Sequence, residues 1–452
     1  MTTAAASPLL TAPIGPALTR LSLPAILAMF IQTIMSAAEA WFLGRVGPVA
    51  LAGAALVFPM LMLVGMLANG ALGGAVAGAT ARALGAGDIA KAEAVLRQAI
   101  LLSVCGAVVS AVVFLGFGRP IFAALGGHGP VLAAALDYTA VLFAGSGLIW
   151  AAGLLSSVVR GCGRMAFSAK VIGLVTAVHV PLAGLFILGA GPIPAMGMTG
   201  AALAQLCAYG AGTAWLLADL AWGNGPVKLR LGPGGGMKEI LGSGIVGLIS
   251  PLLSVGAILM LTALAGRLGP VALAGYGIGA RLEFMMIPII FGIGSAMIAM
   301  VGANVGAGQH ARAVNIAWRG TLAASLLVGG IGAVLAIFPD LWATLFTDEP
   351  AIVEATRAYL RVVGPFYWLF GLGLASFFAS FALKTVIWPV LGGVLRLAII
   401  AAGGLWLTQG DMTLNGLFWV IAVAMACYGG FTATALWLGP WRPQATSIGA
   451  TS

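Results

Sequence analysis

The chain has 452 residues, of which 61% are hydrophobic and 7% charged, and its formal net charge is +9 at pH 7. A soluble domain typically needs about a quarter charged residues to cover its surface, so this composition excludes an ordinary soluble protein. The mean hydropathy is +1.10 and the apolar runs are continuous, which predicts membrane-spanning α-helices and argues against a membrane β-barrel. The basic residues flank these runs, so we expect membrane lipids and no nucleic acid as partners.

Twelve apolar runs are long enough to cross a membrane, which takes about 20 helical residues. In chain order, we predict spanning helices at 21–43, 50–78, 95–117, 132–158, 166–189, 198–222, 240–264, 272–302, 315–338, 356–383, 387–407 and 414–438. A linker rich in Gly, Pro and basic residues, 223–239, separates two predicted lobes, 21–222 and 240–438. Residues 1–20 and 439–452 are predicted tails.

The two predicted lobes carry a repeated sequence. Residues 44–53 read GRVGPVALAG and residues 266–275 read GRLGPVALAG, a shift of 266 − 44 = 222. A second pair, at a shift of 304 − 83 = 221, reads ALGAGDIAKA and NVGAGQHARA, and Tyr138 with Tyr359 forms a weaker third pair. A period near half the chain indicates a duplicated unit. Because each copy has an even number of spans, we expect two like-oriented six-helix lobes related by a pseudo-twofold axis along the membrane normal.

The basic residues predict the orientation of the chain in the membrane. Of 21 Lys and Arg residues, we assign 14 to the face with both termini and 5 to the other, and two lie inside spans, since 14 + 5 + 2 = 21. Basic residues mark the cytoplasmic side. We therefore expect a multi-pass protein of the cell inner membrane with both termini cytoplasmic. The first span is predicted to serve as an uncleaved signal.

Neither a metal site nor a cofactor site is predicted. The four cysteines lie inside apolar runs without CxxC spacing, which indicates packing residues and neither disulfides nor metal ligands. The GPGGG run of the linker is not a GxxxxGK[ST] phosphate-binding loop, so no nucleotide site is expected.

Glu39 is the sharpest functional candidate. An ionisable side chain inside a span costs roughly 2.5–3.5 kcal/mol on insertion scales, so its presence indicates function. Glu39 lies five residues before Gly44, and Gln32, seven residues earlier, shares its helix face. The alternative is a carboxylate that extends to the membrane interface. Its repeat counterpart, 39 + 222 = 261, is Leu261, so we expect the acid to belong to the first lobe alone.

Other polar residues also fall inside predicted spans. His179 lies midway along the fifth span, where a neutral imidazole is either a packing residue or a proton partner for a carboxylate. Tyr138, Asn69 and Gln205 either join helix to helix or line a cavity.

The second lobe has three charged candidates, Arg281, Glu283 and Arg396. Arg281 and Glu283 are two residues apart on one helix, so they point to different faces and do not simply pair. A structural clamp and a role in transport both account for these residues.

These residues together resemble the multidrug and toxic compound extrusion (MATE) transporters. The matching features are Pro24, Gln32, the acid five residues before Gly44-Arg45, the GAG after the second span, GCGR at 161–164, MGMTGAALAQ at 196–205, Arg281-Leu282-Glu283 with Pro288, and VGANVGAG. The resemblance implies secondary antiport, in which an organic cation or similar amphiphile leaves as protons or sodium ions enter.

The family's site residues carry over only in part. The family's first-helix acid corresponds to Glu39 and its preceding Gln to Gln32. Two polar positions of the family's fifth helix hold His179 and Ala183 here, so the second carboxylate of the proton-coupled branch is missing. The sodium-coupled branch has acids in the seventh and tenth helices, where this chain has Ser254 and no acid.

We therefore predict a proton-driven exporter of organic cations, drugs or amphiphiles that works by alternating access. Protons are favoured over sodium because the sodium-site acids are lacking. The protein is predicted to be a monomer, to need no cofactor and not to be an enzyme. The predicted ion-coupling residues are Glu39 and His179, and the predicted substrate-binding residues are Gln32, Tyr138, Gln205 and Asn69.

Three other functions are compatible with parts of the sequence. A flippase for a lipid-linked saccharide would need a basic central cavity, for which Arg281 and Arg396 are the candidates. A membrane channel would usually assemble a polar ring, which two large unequal lobes do not suggest. A non-transporting membrane protein would leave Glu39 unexplained.

Overall fold

The computed structural model of the protein describes residues 8–230, 232, 235–410 and 413–442. Parts of the predicted tails, 1–7 and 443–452, and residues 231, 233 and 234 of the predicted linker lie outside this range. Within it, the chain is helical, and extended pairing is limited to one isolated bridge between Ala190 and Ile193.

Long helices follow one another with short connections. The described residues form α1 (Pro8–Thr11), α2 (Ile14–Val46), α3 (Pro48–Gly65), α4 (Leu72–Gly85), α5 (Ile89–Ala124), α6 (Gly129–Ala144), α7 (Gly147–Gly161), α8 (Met165–Leu188), α9 (Gly197–Trp222), α10 (Met237–Arg267), α11 (Pro270–Gly306), α12 (His310–Ile337), α13 (Asp340–Ala343), α14 (Pro350–Val363), α15 (Tyr367–Leu383), α16 (Ile387–Gln409) and α17 (Leu414–Leu438). A π-helical segment, Met66–Ala71, joins α3 to α4, and a 3-10 turn, Gly364–Phe366, joins α14 to α15.

These helices confirm the all-α polytopic fold. Eleven spans in the described chain are long and apolar enough to cross a membrane, and the bent pair α6 and α7 makes a twelfth. The fourth span, predicted as one helix over 132–158, is therefore broken, with a bend of 55°. The bend falls at Gly145 and Ser146, where the Ser146 hydroxyl donates to the backbone oxygen of Phe143 at 2.9 Å. A Gly/Ser pair is a common cause of such kinks.

The chain divides into two compact units. The N-unit runs from Leu21 to Leu248, and the C-unit comprises the residues up to Arg20 and those from Ile249 onward. Two helices, α2 and α10, are therefore shared, each with its first turns in one unit and the remainder in the other. In the N-unit, the start of α10 is held by Arg82, whose Nε donates to Glu239 Oε1 at 2.9 Å.

The sequence repeat is also a repeat of backbone conformation. Three described positions of the C-unit with the left-handed backbone that favours glycine each have a counterpart in the N-unit. The pairs are Gly47 (φ 140°) with Gly269 (103°), Gly87 (75°) with Gly308 (75°), and Gly163 (76°) with Lys384 (60°). Their separations are 269 − 47 = 222, 308 − 87 = 221 and 384 − 163 = 221. Matching turns at the repeat distance confirm that the two units follow the same chain path.

Close packing inside the C-unit depends on a glycine of α17. A Cβ at Gly429 would overlap the backbone oxygen of Leu369 in α15, whereas a Cβ at the neighbouring Gly430 would meet nothing within 4 Å. Since a backbone oxygen cannot rotate away, Gly429→Ala must push the two helices apart, at about 1–3 kcal/mol. We expect Gly429→Ala to lower the unfolding temperature by several degrees and Gly430→Ala to leave it unchanged. Thermal unfolding of the purified protein in detergent checks this expectation, and equal unfolding temperatures for the two variants would contradict it.

Candidate functional site

Glu39 lies on α2, seven residues before the helix ends at Val46, so its Cα is about 10 Å from that end. Its side chain is 14% exposed, and both carboxyl oxygens face other helices of the N-unit. The hydroxyl of Tyr138 on α6 donates to Oε1 at 3.0 Å. Nε2 of His179 on α8 lies 3.1 Å from Oε2. The carboxyl group therefore sits among three helices and does not extend along α2 to the interface.

Tyr138 connects Glu39 to a third side chain. Its hydroxyl lies 3.0 Å from Glu39 Oε1 and 2.5 Å from Gln205 Oε1 on α9, and the ring is 1% exposed. A phenol has one hydrogen, so at any moment it donates to only one of these oxygens. An ionised Glu39 carboxylate is a stronger acceptor of this hydrogen than the neutral amide oxygen of Gln205, so the preferred acceptor depends on the charge of Glu39. The single hydrogen of Tyr138 therefore lies between two acceptors, the carboxyl group of Glu39 and the amide oxygen of Gln205.

His179 is fully buried, yet its nitrogens are poorly satisfied. Nε2 is close to Glu39, but neither it nor Nδ1 makes a hydrogen bond of good geometry with any described residue. Buried polar atoms without a hydrogen bond are uncommon in folded proteins and call for an explanation. Both imidazole nitrogens therefore have hydrogen-bonding capacity that the described residues do not use.

Gln32 reaches a residue that sequence reasoning missed, Tyr209. Gln32 Nε2 donates to the Tyr209 hydroxyl on α9 at 3.4 Å. Met35, which lies on α2 between Gln32 and Glu39, packs with Val175 and Ala208, and Tyr209 lies against this apolar group. Four residues separate Gln205 from Tyr209, so the helical period would have placed both on one face of α9.

The described hydrogen bonds of Asn69 go to other residues than Glu39 and its neighbours. It belongs to the π-helical segment, where its Nδ2 donates to the backbone oxygen of Gly65 at 3.4 Å. Its own backbone oxygen accepts from the Arg160 guanidinium at 3.5 Å. Within the described chain, no hydrogen bond or ion pair joins Asn69 to Glu39 or its neighbours. Asn69 therefore takes part in the hydrogen bonding of the π-helical segment.

A second polar cluster lies in the C-unit around Glu283 of α11. Tyr359 of α14 donates to Glu283 Oε1 at 2.7 Å, and Tyr367 of α15 donates to the Tyr359 hydroxyl at 3.3 Å. Arg396 Nη2 of α16 lies 3.6 Å from Glu283 Oε2. Arg281 is not part of this cluster, because its guanidinium lies over the Phe346 ring, 5.3 Å from the centroid.

Between spans, an ion pair holds the turn that follows α7. The Arg164 guanidinium binds both carboxylate oxygens of Asp219, at 2.5 and 2.8 Å. These hydrogen bonds raise the pKa of Arg164 above its ordinary value, and the neighbouring Cys162 thiol has a pKa raised to about 12 by burial. Asp219 therefore fixes the GCGR turn to α9. All four cysteines are free, and Cys105 and Cys207 lie on exposed faces, which corrects their prediction as packing residues.

The family of the chain is shown by comparison with known proteins. The MatE family model matches residues 24–185 and 248–392, which is more than half of the chain. The chain belongs to the MatE family. This MATE family member is 30% identical over 447 residues to a "Probable multidrug resistance protein NorM" of Deinococcus radiodurans, which covers 89% of this chain and 93% of that protein. It is also 26% identical over 392 residues to a "FAD transporter" of Shewanella oneidensis, covering 82% of each chain.

Solved MATE structures share the fold. A MATE transporter crystallised in the straight conformation superposes with a TM-score of 0.86 at 22% identity, over 97% of this chain and 99% of that one. A Pyrococcus furiosus transporter of the MOP superfamily, described as having a binding pocket of reversed polarity, gives 0.86 at 22% identity, over 99% and 100%. The MATE family member described here is therefore a multi-pass membrane transporter with the two-lobe, twelve-helix fold.

Proposed function

We propose that this MATE transporter is a proton-driven antiporter that exports organic cations, drugs or similar amphiphiles across the cell membrane by alternating access. The observation that carries the proposal is the environment of Glu39. Its carboxyl group is 14% exposed, and the side chains within reach, Tyr138 and His179, are a phenol and an imidazole. No Lys or Arg in the described chain forms an ion pair with it. The carboxylate therefore has no fixed cation and is available to a mobile one.

Coupling follows from competition at Glu39. An ionised carboxylate attracts a cationic solute, and a bound proton removes that attraction. Facing the cytoplasm, the carboxylate exchanges its proton for a cation. Facing outward, where protons are more concentrated, it exchanges the cation for a proton. His179 assists as a proton carrier beside Oε2, since its imidazole is close and has an unbonded nitrogen.

Tyr138 transmits the change of charge to Gln205. When Glu39 is ionised, the phenol hydrogen points to the carboxylate, and when Glu39 is protonated, it turns to Gln205, 2.5 Å away. Gln205 then presents a different hydrogen-bonding face to a solute. Together with Gln32, Tyr209 and the apolar side chain of Met35, this gives an amphiphilic binding site.

The substrate class, the orientation of the termini and the monomeric state are proposed from the sequence and from the names of relatives. Drugs as substrates are favoured by the name of the Deinococcus radiodurans relative, and cations by the carboxyl group of the N-unit site. A flavin nucleotide, suggested by the name of the Shewanella oneidensis relative, would need a cationic site that the Glu39 group does not provide. The excess of basic residues on one face supports cytoplasmic termini. We propose that the transporter acts as a monomer without a cofactor.

Separate ion gradients test the coupling ion. In proteoliposomes loaded with ethidium, we expect an imposed proton gradient to drive dye export and a sodium gradient of equal size to have no effect, because Glu39 is the only acid of the N-unit site. Dye fluorescence reports the flux. Export driven by sodium alone would contradict the proposal.

Removal of one hydroxyl tests the link through Tyr138. We expect Tyr138→Phe to slow proton-driven dye export by about tenfold, the equivalent of one hydrogen bond to a charged group. Tyr209→Phe is the comparison variant: it keeps the ring that contributes to the binding site and removes a hydroxyl whose described hydrogen bond is the longer, 3.4 Å contact with Gln32, so we expect a smaller loss. Equal rates for the two variants would show that the hydroxyl of Tyr138 has no special role.

A further inference from the structure

Two tyrosines at equivalent positions of the repeat each donate to a largely buried glutamate, 14% exposed for Glu39 and 15% for Glu283. In the N-unit, Tyr138 donates to Glu39 at 3.0 Å, and in the C-unit, Tyr359 donates to Glu283 at 2.7 Å. The tyrosines are related by the repeat, since 359 − 138 = 221. The glutamates are not, because Glu283 corresponds to 283 − 222 = 61, which is Leu61. The tyrosine is therefore present at the same repeat position in both units, whereas the carboxylate comes from α2 in the N-unit and from α11 in the C-unit.

The two carboxylates differ in what faces their second oxygen. Glu39 Oε2 faces His179 of α8 at 3.1 Å, and Glu283 Oε2 faces Arg396 of α16 at 3.6 Å. These partners lie on equivalent helices, one turn apart, since 396 − 221 = 175 and 179 − 175 = 4. Arg396 thus holds, in the C-unit, the place that a mobile cation would take beside Glu39.

The contacts of the Arg396 guanidinium resemble those that proteins make with a bound organic cation. The residue is 9% exposed, and its Nε has no hydrogen-bond partner among the described residues. The contact with Glu283 is longer than a hydrogen bond, and the guanidinium also lies over the Phe370 ring, 5.2 Å from its centroid. Charge and an aromatic face hold it, the two interactions by which proteins bind organic cations.

Among the residues that the structure describes, the other titratable groups around this pair are phenols. Besides Tyr359, the groups within electrostatic range of Glu283 or Arg396 are Tyr276 of α11, Tyr367 of α15 and Tyr428 of α17. None of these carries a charge near neutral pH. The charge balance of the cluster is therefore one carboxylate against one guanidinium.

We propose that Arg396 is a tethered counter-cation that permanently occupies the carboxylate site of the C-unit. A guanidinium keeps its charge at any physiological pH, so this site does not exchange its cation. Where the proposed antiport holds, the consequence is that Glu39 alone exchanges ions, one for each solute. The occupancy of the site itself does not depend on the antiport.

Chemical rescue tests the occupancy without transport. Arg396→Ala removes the tethered cation, so free guanidinium should bind beside Glu283 and raise the unfolding temperature of the purified protein by about 2 °C at tenfold its Kd. The same salt, compared with sodium chloride at equal ionic strength, should not stabilise wild type, the double variant Glu283→Gln with Arg396→Ala, or Arg357→Ala. Arg357 is the matched control, an arginine of the same unit that pairs with Asp340 and Glu354.

Both outcomes of the rescue are decisive. If Arg396→Ala folds only when guanidinium is present during purification, that recovery supports the tethered cation as fully as a shift in unfolding temperature. If guanidinium gives neither recovery nor stabilisation, or stabilises the double variant equally, the proposal is overturned.

Ion stoichiometry tests the consequence. With one pH unit imposed and no membrane potential, wild type should stop net flux at a solute gradient of about tenfold, the value for one proton per solute. A wild-type value of about a hundredfold, which needs a second exchanging carboxylate, would contradict the tethered cation. Absence of any proton-driven flux in wild type would instead overturn the proposed antiport and leave the rescue result standing.

Discussion

Glu39→Gln is expected to abolish proton-driven export, with the initial rate lowered at least about a hundredfold. The amide has the shape of the carboxyl group but neither binds a proton nor attracts a cation, so both sides of the competition are lost together. A carboxylate that meets a cation in a largely desolvated site contributes about 3 kcal/mol or more, which corresponds to this factor. Dye efflux from proteoliposomes under an imposed proton gradient gives the rate.

Glu354→Gln is the matched control for this experiment. Glu354 is a glutamate of the other unit whose side chain is 61% exposed and pairs with Arg357. Its replacement should leave the efflux rate within about twofold of wild type, since exposed ion pairs contribute little. If Glu39→Gln exports dye as fast as Glu354→Gln, Glu39 takes no part in coupling.

Glu283→Gln is expected to cost the C-unit about 3–5 kcal/mol of stability, seen as a fall of about 10 °C in the unfolding temperature. The change leaves the Arg396 guanidinium buried without its carboxylate, 3.6 Å away in wild type. Since arginine cannot lose its proton, the charge stays and its desolvation is uncompensated. The opposite change, Arg396→Gln, should cost less, because a buried carboxyl group can take up a proton and become neutral.

A double-mutant cycle separates this pairing from simple loss of packing. Glu283→Gln with Arg396→Gln removes both charges, so we expect the double variant to be more stable than Glu283→Gln alone, with a coupling of about 2 kcal/mol. Thermal unfolding of the four purified proteins provides the cycle. Additive losses would mean that Glu283 and Arg396 stabilise the C-unit independently, and the ion pair would have no energetic role.

The helices and the repeat could be predicted from the sequence because each gives a regular pattern of residues. Apolar runs near the length of a membrane predicted each of the twelve spans, and the GPVALAG repeat predicted the duplicated turns. Helical spacing also placed Gln32 and Glu39 on one face of α2 and kept Arg281 from pairing with Glu283. In each case the regular period of an α-helix carries the information.

Irregular backbone limits what can be read from the sequence. Asn69 was predicted to bind substrate because it is a polar residue inside the second span, and its segment, Met66–Ala71, is π-helical. A π-turn contains an extra residue, which rotates the following side chains to another face of the helix. No residue pattern in the sequence predicted this π-turn. The break of the fourth span left a clearer trace, the run Gly145-Ser146-Gly147.

Contacts between side chains of helices that are far apart in the chain cannot be predicted from residue spacing. The repeat identified Tyr359 as the counterpart of Tyr138, but its acceptor, Glu283, has no acidic counterpart in the N-unit. Likewise, His179 and Glu39 are 140 residues apart, since 179 − 39 = 140, and their contact depends on how α2 packs against α8. Such packing is a property of the folded unit and not of any local segment.

Proton release on substrate binding tests the competition at Glu39 most directly. Ethidium added to the purified transporter in a weakly buffered solution should acidify it in proportion to the dye bound, because each cation displaces the proton of one carboxyl group. Glu39→Gln should bind any residual dye without acidification. A wild-type protein that binds the dye and releases no protons, or a Glu39→Gln variant that releases as many as wild type, would contradict the exchange at this carboxylate.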